Sequence, residues 1–277
     1  MNDDSSLNPV TGLPSKSKAE AEMLRSLVRE ASERAASSSF VIEGPHLIER
    51  ALESTPECVK EVIFTEAAYS ANPSLALQAN RRKIACFHIS EKLSERLSDT
   101  KASQGIFAVV SLPDIQSDLG SAGVLIALDG VQDPGNLGTI IRTASWFSVK
   151  QILLSNDCAD PYSPKVLRST QGEIFSTNVG IRGVLADSLR ILQKKGQQII
   201  AATLSPSACL LYEKDFPANT VLVFGSEAHG VSDEILAIAD GQIRIPGFGG
   251  AESLNVATSA GIILSELLRQ RTLKQNG

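Results

Sequence analysis

Asp129-Gly130-Val131-Gln132-Asp133-Pro134-Gly135-Asn136-Leu137-Gly138-Thr139-Ile140-Ile141-Arg142-Thr143-Ala144 follows directly on an apolar run over residues 124–128. The run reads as a buried strand, the glycine- and proline-rich stretch as a loop, and residues 137–147 as a helix. Phe224-Gly225-Ser226-Glu227-Ala228-His229-Gly230 follows a second apolar run, over 221–224. Ile245-Pro246-Gly247-Phe248-Gly249-Gly250-Ala251-Glu252-Ser253-Leu254-Asn255-Val256-Ala257-Thr258 leads from a short strand at 243–246 into a long helix over 254–270. Further strands are expected at 151–154 and 199–204, and a helix at 184–195 stopped by Gly196. Fully apolar strands alternating with helices predict a parallel α/β sheet covered on both faces. Ligands of such sheets bind beyond the carboxyl ends of the strands. One such loop could be purely structural, since glycines turn chains and Asn136 or Ser253 can cap a helix. Three in order, each with a polar residue beside glycine, argue for a site. No G-x-G-x-x-G opens the first strand unit and no G-K-[ST] is present, which disfavours a dinucleotide or P-loop enzyme.

The first half also alternates short elements. A helix is expected around Met23, Leu24, Leu27 and Val28, then a strand at 40–43, a helix at 45–53, strands at 59–65 and 84–89, a Ser90-capped helix and a strand at 105–112. Residues 1–17 read as a flexible tail and 113–122 as a linker. That leaves a domain at 18–112 and a second at 123–277.

With 277 residues, 43% hydrophobic and 21% charged, the composition is that of a globular protein and excludes a disordered or fibrous chain. The net charge of −5 excludes a strongly basic nucleic-acid coat. Residues 1–113 carry 13 Lys+Arg against 15 Asp+Glu and the remainder 13 against 16, so RNA would have to be met by focused patches. The candidates are Lys16, Lys18, Arg25 and Arg29, then Arg81, Arg82 and Lys83. Aromatics are only 5%, too few for a stacking platform, which favours recognition of structured RNA by shape and phosphate. The four cysteines fit no zinc pattern and read as reduced thiols, the three histidines lack metal spacing, and no metal is expected. The acidic, polar start is no signal peptide, and no apolar run reaches the ~18 residues of a membrane span. A cytoplasmic protein is expected.

In sequence order, the three loops resemble the three motifs of SpoU/TrmH-type RNA ribose methyltransferases of the SPOUT superfamily. These are an asparagine-and-arginine segment, F-G-x-E-x-x-G, and I-P followed by S-L-N-V. Between them, Asp160-Pro161-Tyr162-Ser163-Pro164-Lys165-Val166-Leu167-Arg168-Ser169 also looks like the family, so the resemblance covers residues 124–270. Phe40-Val41-Ile42-Glu43-Gly44 is similar to the family's smaller substrate-binding domain. The resemblance implies a ribosomal-protein-like α/β first domain and a parallel-sheet second domain tied in a deep trefoil knot. It further implies a homodimer with the active site at the subunit interface. The knotted loops would hold S-adenosylmethionine through Thr203, Leu204, Gly225, Gly230, Ile245 and Leu254. The implied reaction is methyl transfer to a ribose 2′-hydroxyl, in rRNA ahead of tRNA because the minimal tRNA enzymes lack the first domain. A tRNA enzyme and an inactive RNA-binding scaffold are the alternatives. Two stretches depart from the family pattern: Glu173 stands where a small residue is usual, and the 247–252 loop lacks the common methionine.

The reaction is an in-line displacement, so alignment supplies much of the rate. By resemblance Arg142 stands at the hydroxyl, either as base or as a clamp on the neighbouring phosphate. Lowering an arginine pKa from about 12.5 to about 7 requires roughly 7 kcal/mol, which favours the clamp. By the same resemblance Asn136 positions Arg142 or the ribose, Glu227 orients an arginine, and Ser253 and Asn255 bond phosphate or Glu227.

Overall fold

Ser17 and Glu20 cap each other at the start of α1 (Lys18–Arg29). The Glu20 amide donates to Ser17 Oγ at 3.3 Å, and the Ser17 amide donates to the Glu20 carboxylate at 2.8 Å. That bond from the Ser17 amide holds the Glu20 carboxyl below its usual range. Ala21, Leu24, Leu27 and Val28 form the buried stripe of α1, whereas Met23 faces outward. The turn ends with help from Arg34 in α2 (Ala31–Ser37). This arginine is buried and donates to the carbonyls of Leu27 and Val28 at 2.7 and 3.0 Å, satisfying helix-end acceptors that would otherwise lie buried and unpaired.

The computed structural model describes residues 8, 10–113, 122–181 and 183–275, in two units. The first continues with β1 (Ser39–Glu43), α3 (Pro45–Ser54), β2 (Val59–Phe64), α4 (Glu66–Ala71), α5 (Pro73–Arg81), β3 (Ala85–His88), α6 (Glu91–Leu97) and β4 (Ile106–Ser111). Its sheet runs β1-β4-β2-β3; β4 pairs antiparallel with β1 and β2, and β2 pairs parallel with β3. The α1 stripe packs on Val41, Ile63, Phe107 and Val109 of this sheet.

Part of the expected flexible tail is tied down. The His88 amide donates to the Pro14 carbonyl and the Lys16 amide to the His88 carbonyl, both at 2.8 Å, which covers the open β3 edge. Lys16 does not offer its charge to a ligand. Its side chain is 8% exposed, bonds Glu61 at 2.8 Å and sits 3.8 Å over the Phe87 ring. Residues 114–121 of the expected linker lie outside the described residues.

The first unit also takes in Tyr162–Phe175, which the sequence reading assigned to the second domain. This segment contains α8 (Pro164–Thr170). Phe40 is flanked by the rings of Tyr162 at 4.7 Å and Phe175 at 6.5 Å. Arg168 pairs with Asp99 at 3.0 Å and Glu173 with Arg50 at 3.2 Å. A fragment lacking residues 1–113 would therefore leave Tyr162, Val166, Leu167 and Phe175 without their core. Limited proteolysis should cut such a fragment within 162–175 first, while the full chain resists there; equal resistance would show that the segment holds itself.

The second unit comprises β5 (Val124–Asp129), α7 (Pro134–Trp146), β6 (Gln151–Leu154), β7 (Asn178–Ile181), α9 (Leu185–Lys194), β8 (Gln198–Ala202), β9 (Cys209–Leu210), β10 (Thr220–Gly225), α10 (Asp233–Ile238), β11 (Gly241–Arg244) and α11 (Val256–Gln275). Its seven strands run β7-β6-β5-β10-β8-β11-β9, every neighbouring pair parallel, as the apolar runs predict. Leu125, Ala127, Ile199, Ala201, Val221 and Val223 face the apolar side of α9 and α10. The opposite face carries α11, which packs on β10 and on α7.

α11 also holds the segment before β10. Gln270 donates to the Lys214 carbonyl at 2.8 Å and accepts from the Phe216 amide at 3.1 Å. Glu266 fixes Gln270 at 2.8 Å and takes both arms of Arg269 at 2.7 and 2.8 Å. The Arg269 fork is the main reason its carboxyl titrates at about 2. The folded value lies below the unfolded one of about 4.3, so the carboxylate stabilises the fold above that pH and loses its contribution as pH falls towards 2. Glu266→Gln should melt earlier than the parent at pH 7, and the gap should close in melts taken between pH 4.3 and pH 2. A constant gap would assign the effect to shape, not charge.

Candidate active site

β5 and β10 are neighbours, and Gly225 pairs with Asp129 at their carboxyl ends. The first two loops therefore emerge side by side at the edge where parallel sheets bind ligands. The second doubles back at once: the Ser226 amide donates to the Gly230 carbonyl at 3.1 Å and the Gly230 amide to the Ser226 carbonyl at 2.9 Å. A Cβ on Gly225 would collide with the Gly230 carbonyl, so only glycine allows the return. Asp129 Oδ2 accepts from the Ser232 amide at 2.7 Å, which anchors the far end of this loop to β5.

α7 begins earlier than the sequence reading placed it. Pro134 takes the first helical position and Asp133 caps it, its Oδ1 accepting from the Asn136 amide at 2.9 Å. Asn136 is thus not the cap, and its side chain is free to turn towards the other loops. Asn255 Oδ1 accepts from the amides of Ala257 and Thr258 at 3.0 and 3.2 Å, capping α11. Its Nδ2 donates to Asn136 Oδ1 and to Glu227 Oε1, both at 2.9 Å, and Asn136 Nδ2 donates to the same Glu227 oxygen at 3.0 Å. One residue from each loop thus joins a closed triangle, which leaves Glu227 Oε2 free among the described residues.

The triangle borders a cleft of about 330 Å³ whose lining includes Asp129, Asp133, Asn136, Asp157, Glu227 and His229. Four carboxylates on that wall favour a ligand with positive charge or with hydrogen-bond donors. Asp129 and Asp133 were missed by the sequence reading; the Asp-Pro pair before a helix was the available signal for Asp133.

The remaining expected residues lie elsewhere. Arg142 is exposed on α7, outside the cleft lining, with no ion pair among the described residues. Ser253 is exposed, and its side chain makes no hydrogen bond among the described residues. Gly230 lines the cleft. Thr203 and Leu204 leave β8 beside the strand that continues into Ile245, in line with the pairing of Ala202 with Ile243. Leu204 and Leu254 are 70% and 45% exposed, apolar surfaces that suit the face of a nucleoside. Lys18, Arg29, Arg81, Arg82 and Lys83 are exposed, and Arg25 is half-buried and pairs with Glu22 at 3.3 Å.

The SpoU rRNA Methylase family matches residues 123–265, and an MRM3-like substrate binding domain matches 22–108. An uncharacterized tRNA/rRNA methyltransferase of Synechocystis sp. is 34% identical over 84% of each chain. The 23S rRNA (guanosine(2553)-2'-O)-methyltransferase RlmP of Bacillus subtilis is 34% identical over 85% of this chain and 90% of its own. An AdoMet-bound rRNA methyltransferase from Sinorhizobium meliloti superposes with a TM-score of 0.78 at 27% identity, covering 91% of this chain and 95% of its own. The match over 123–265 takes in all three loops and every member of the triangle, and on that ground the chain belongs to the SpoU rRNA methylase family.

Proposed function

We propose that this protein transfers a methyl group from S-adenosylmethionine to the 2′-hydroxyl of a guanosine in rRNA. The observation that carries the reading is the Asn136–Glu227–Asn255 triangle at the carboxyl ends of a parallel sheet. An rRNA substrate is favoured over tRNA because the Bacillus subtilis and Sinorhizobium meliloti rRNA enzymes cover nine-tenths or more of their own length in this match. The site fits the donor: strand ends for the adenosine edge, exposed leucines for its face, and an acidic wall for its cationic groups. When bound, S-adenosylmethionine supplies the methyl group on a sulfonium.

The chain's own residues align the acceptor. Asn136 and Asn255 hold Glu227 so that Oε2 stays available to a hydroxyl or a guanidinium. Arg142 clamps the phosphate beside the reacting ribose with its planar fork and favours the ionised hydroxyl. We place Arg142 of the partner subunit against this triangle in a homodimer. Its exposure with no ion pair among the described residues and the 84% exposed Trp146 one turn further along α7 support that placement. We also assign to the stretch from β8 to α11 the trefoil knot that the resemblance implies. The grip of Gln270 on the 214–216 segment supports it.

In single-turnover assays at saturating RNA, Arg142→Ala should abolish transfer while leaving S-adenosylmethionine affinity, read by calorimetry, within a few-fold. Arg142→Lys should also be severely impaired. Near-normal turnover in the alanine variant would remove Arg142 from the mechanism. Glu227→Ala and Asn255→Ala should lose activity less completely. A shared site predicts complementation: mixed subunits of Arg142→Ala and Glu227→Ala should regain up to about a quarter of parental activity, since each mixed dimer holds one intact site. No gain on mixing would place each active site within one subunit.

A further inference from the structure

Glu43 ends β1 with its carboxylate turned into the first unit's own loop. Its Oε2 accepts from Ser98 Oγ at 2.8 Å, and its Oε1 accepts from Ser103 Oγ at 3.2 Å and from the Gln104 amide at 2.9 Å. Three charge-assisted bonds on one half-buried carboxylate fix the 98–104 loop from within. Further bonds tighten it: the Thr100 amide donates to Ser98 Oγ at 3.0 Å, Thr100 Oγ1 to the Ala102 carbonyl at 2.7 Å, and the Gly105 amide to Ser103 Oγ at 3.0 Å.

What the network presents is one side chain. Gly44 has φ +102°, and a Cβ there would come within 2.8 Å of both Gln104 Nε2 and Oε1, so the carboxamide rests over bare backbone. Gln104 is exposed, and its carboxamide has no hydrogen-bond partner among the described residues. It therefore offers two donors and an acceptor at a fixed place. Lys101, in the same loop, is exposed and unpaired among the described residues. The register sets this loop at the end of the sheet where β1 and β2 finish, since Glu43 pairs with Phe107 and Phe64 with Ile106.

We propose that Gln104, presented over Gly44 by the Glu43-clamped loop, reads a base edge of an unpaired nucleotide in the RNA substrate, with Lys101 on the adjacent phosphate. Single-stranded elements are where proteins read RNA sequence, through base edges that offer a donor beside an acceptor. The assignment rests on the proposed RNA substrate and deepens it: Gln104 is a specificity-determining residue and Glu43 its positioning residue.

The test uses the full chain, 23S rRNA and S-adenosylmethionine. Gln104→Ala should raise KM for rRNA by about tenfold with kcat unchanged, the scale of one lost base contact. Gln104→Glu should lose at least as much, because a carboxylate cannot donate. Both variants should keep the parental melting temperature and S-adenosylmethionine affinity. Lys101→Ala should weaken binding and lower the salt dependence by about one phosphate contact, which the Gln104 variants should not do. Glu43→Gln combined with Gln104→Ala should cost little more than the worse single variant; additive losses would make Glu43 a structural residue only. Parental KM in both Gln104 variants would overturn the assignment while leaving the methyltransferase reading intact. If the parent itself neither binds nor methylates rRNA, both readings fall.

Discussion

The bond from Asn255 Nδ2 to Asn136 and Glu227 joins three stretches of chain separated by up to 119 residues. Each partner is already committed locally. Asn136 sits in the first turn of a helix capped by Asp133, Glu227 lies in a loop folded onto Gly225, and Asn255 is itself the cap of α11. The triangle can form only if β5 and β10 are adjacent and α11 starts beside α7. Placing β10 between β5 and β8, out of chain order, supplies the first condition, and the packing of α11 on α7 supplies the second. The three side chains thus meet because the strand ends and helix starts that carry them are brought together by the sheet order and the α11–α7 packing.

The buried strands were legible because parallel sheets covered on both faces demand near-continuous apolar runs. The run at 151–154 coincides with β6, and that at 124–128 falls one residue short of β5. Most of the missed elements had no such pattern; α5, which buries Leu75, Ala76 and Ala79 on one side, is the exception. β7 and β9 are edge strands of four and two residues, and α4 and α10 are six-residue helices, too short for a stripe. Strand order was not legible, since parallel pairing joins residues far apart in the chain. Within the site, the residues beside glycine stood out by type and spacing, whereas Asp129 acts on an amide 103 residues away and leaves no local trace.

Basic residues were the least legible group, because a sequence shows charge but not how it is spent. Lys16 stood among the candidate RNA contacts, yet Glu61 and the Phe87 ring hold it inside the fold. Arg34 is buried to finish a helix. Arg142, by contrast, is exposed and carries no ion pair among the described residues.

The two departures from the family pattern have different physical standing. Cβ atoms built on Gly247, Gly249 and Gly250 would meet nothing within 4 Å, so that loop is sterically permissive and its composition can vary without disturbing the strand ends beside it. Glu173 is constrained. It follows Gly172, where φ is +87° and a Cβ would press on the Arg50 side chain at 2.7 Å, and its carboxylate meets the same arginine at 3.2 Å. The glycine admits Arg50 and the glutamate pairs with it, so a larger residue than usual is accommodated because a charged partner is already in place. The variation is free where the backbone alone matters and compensated where a side chain must be met.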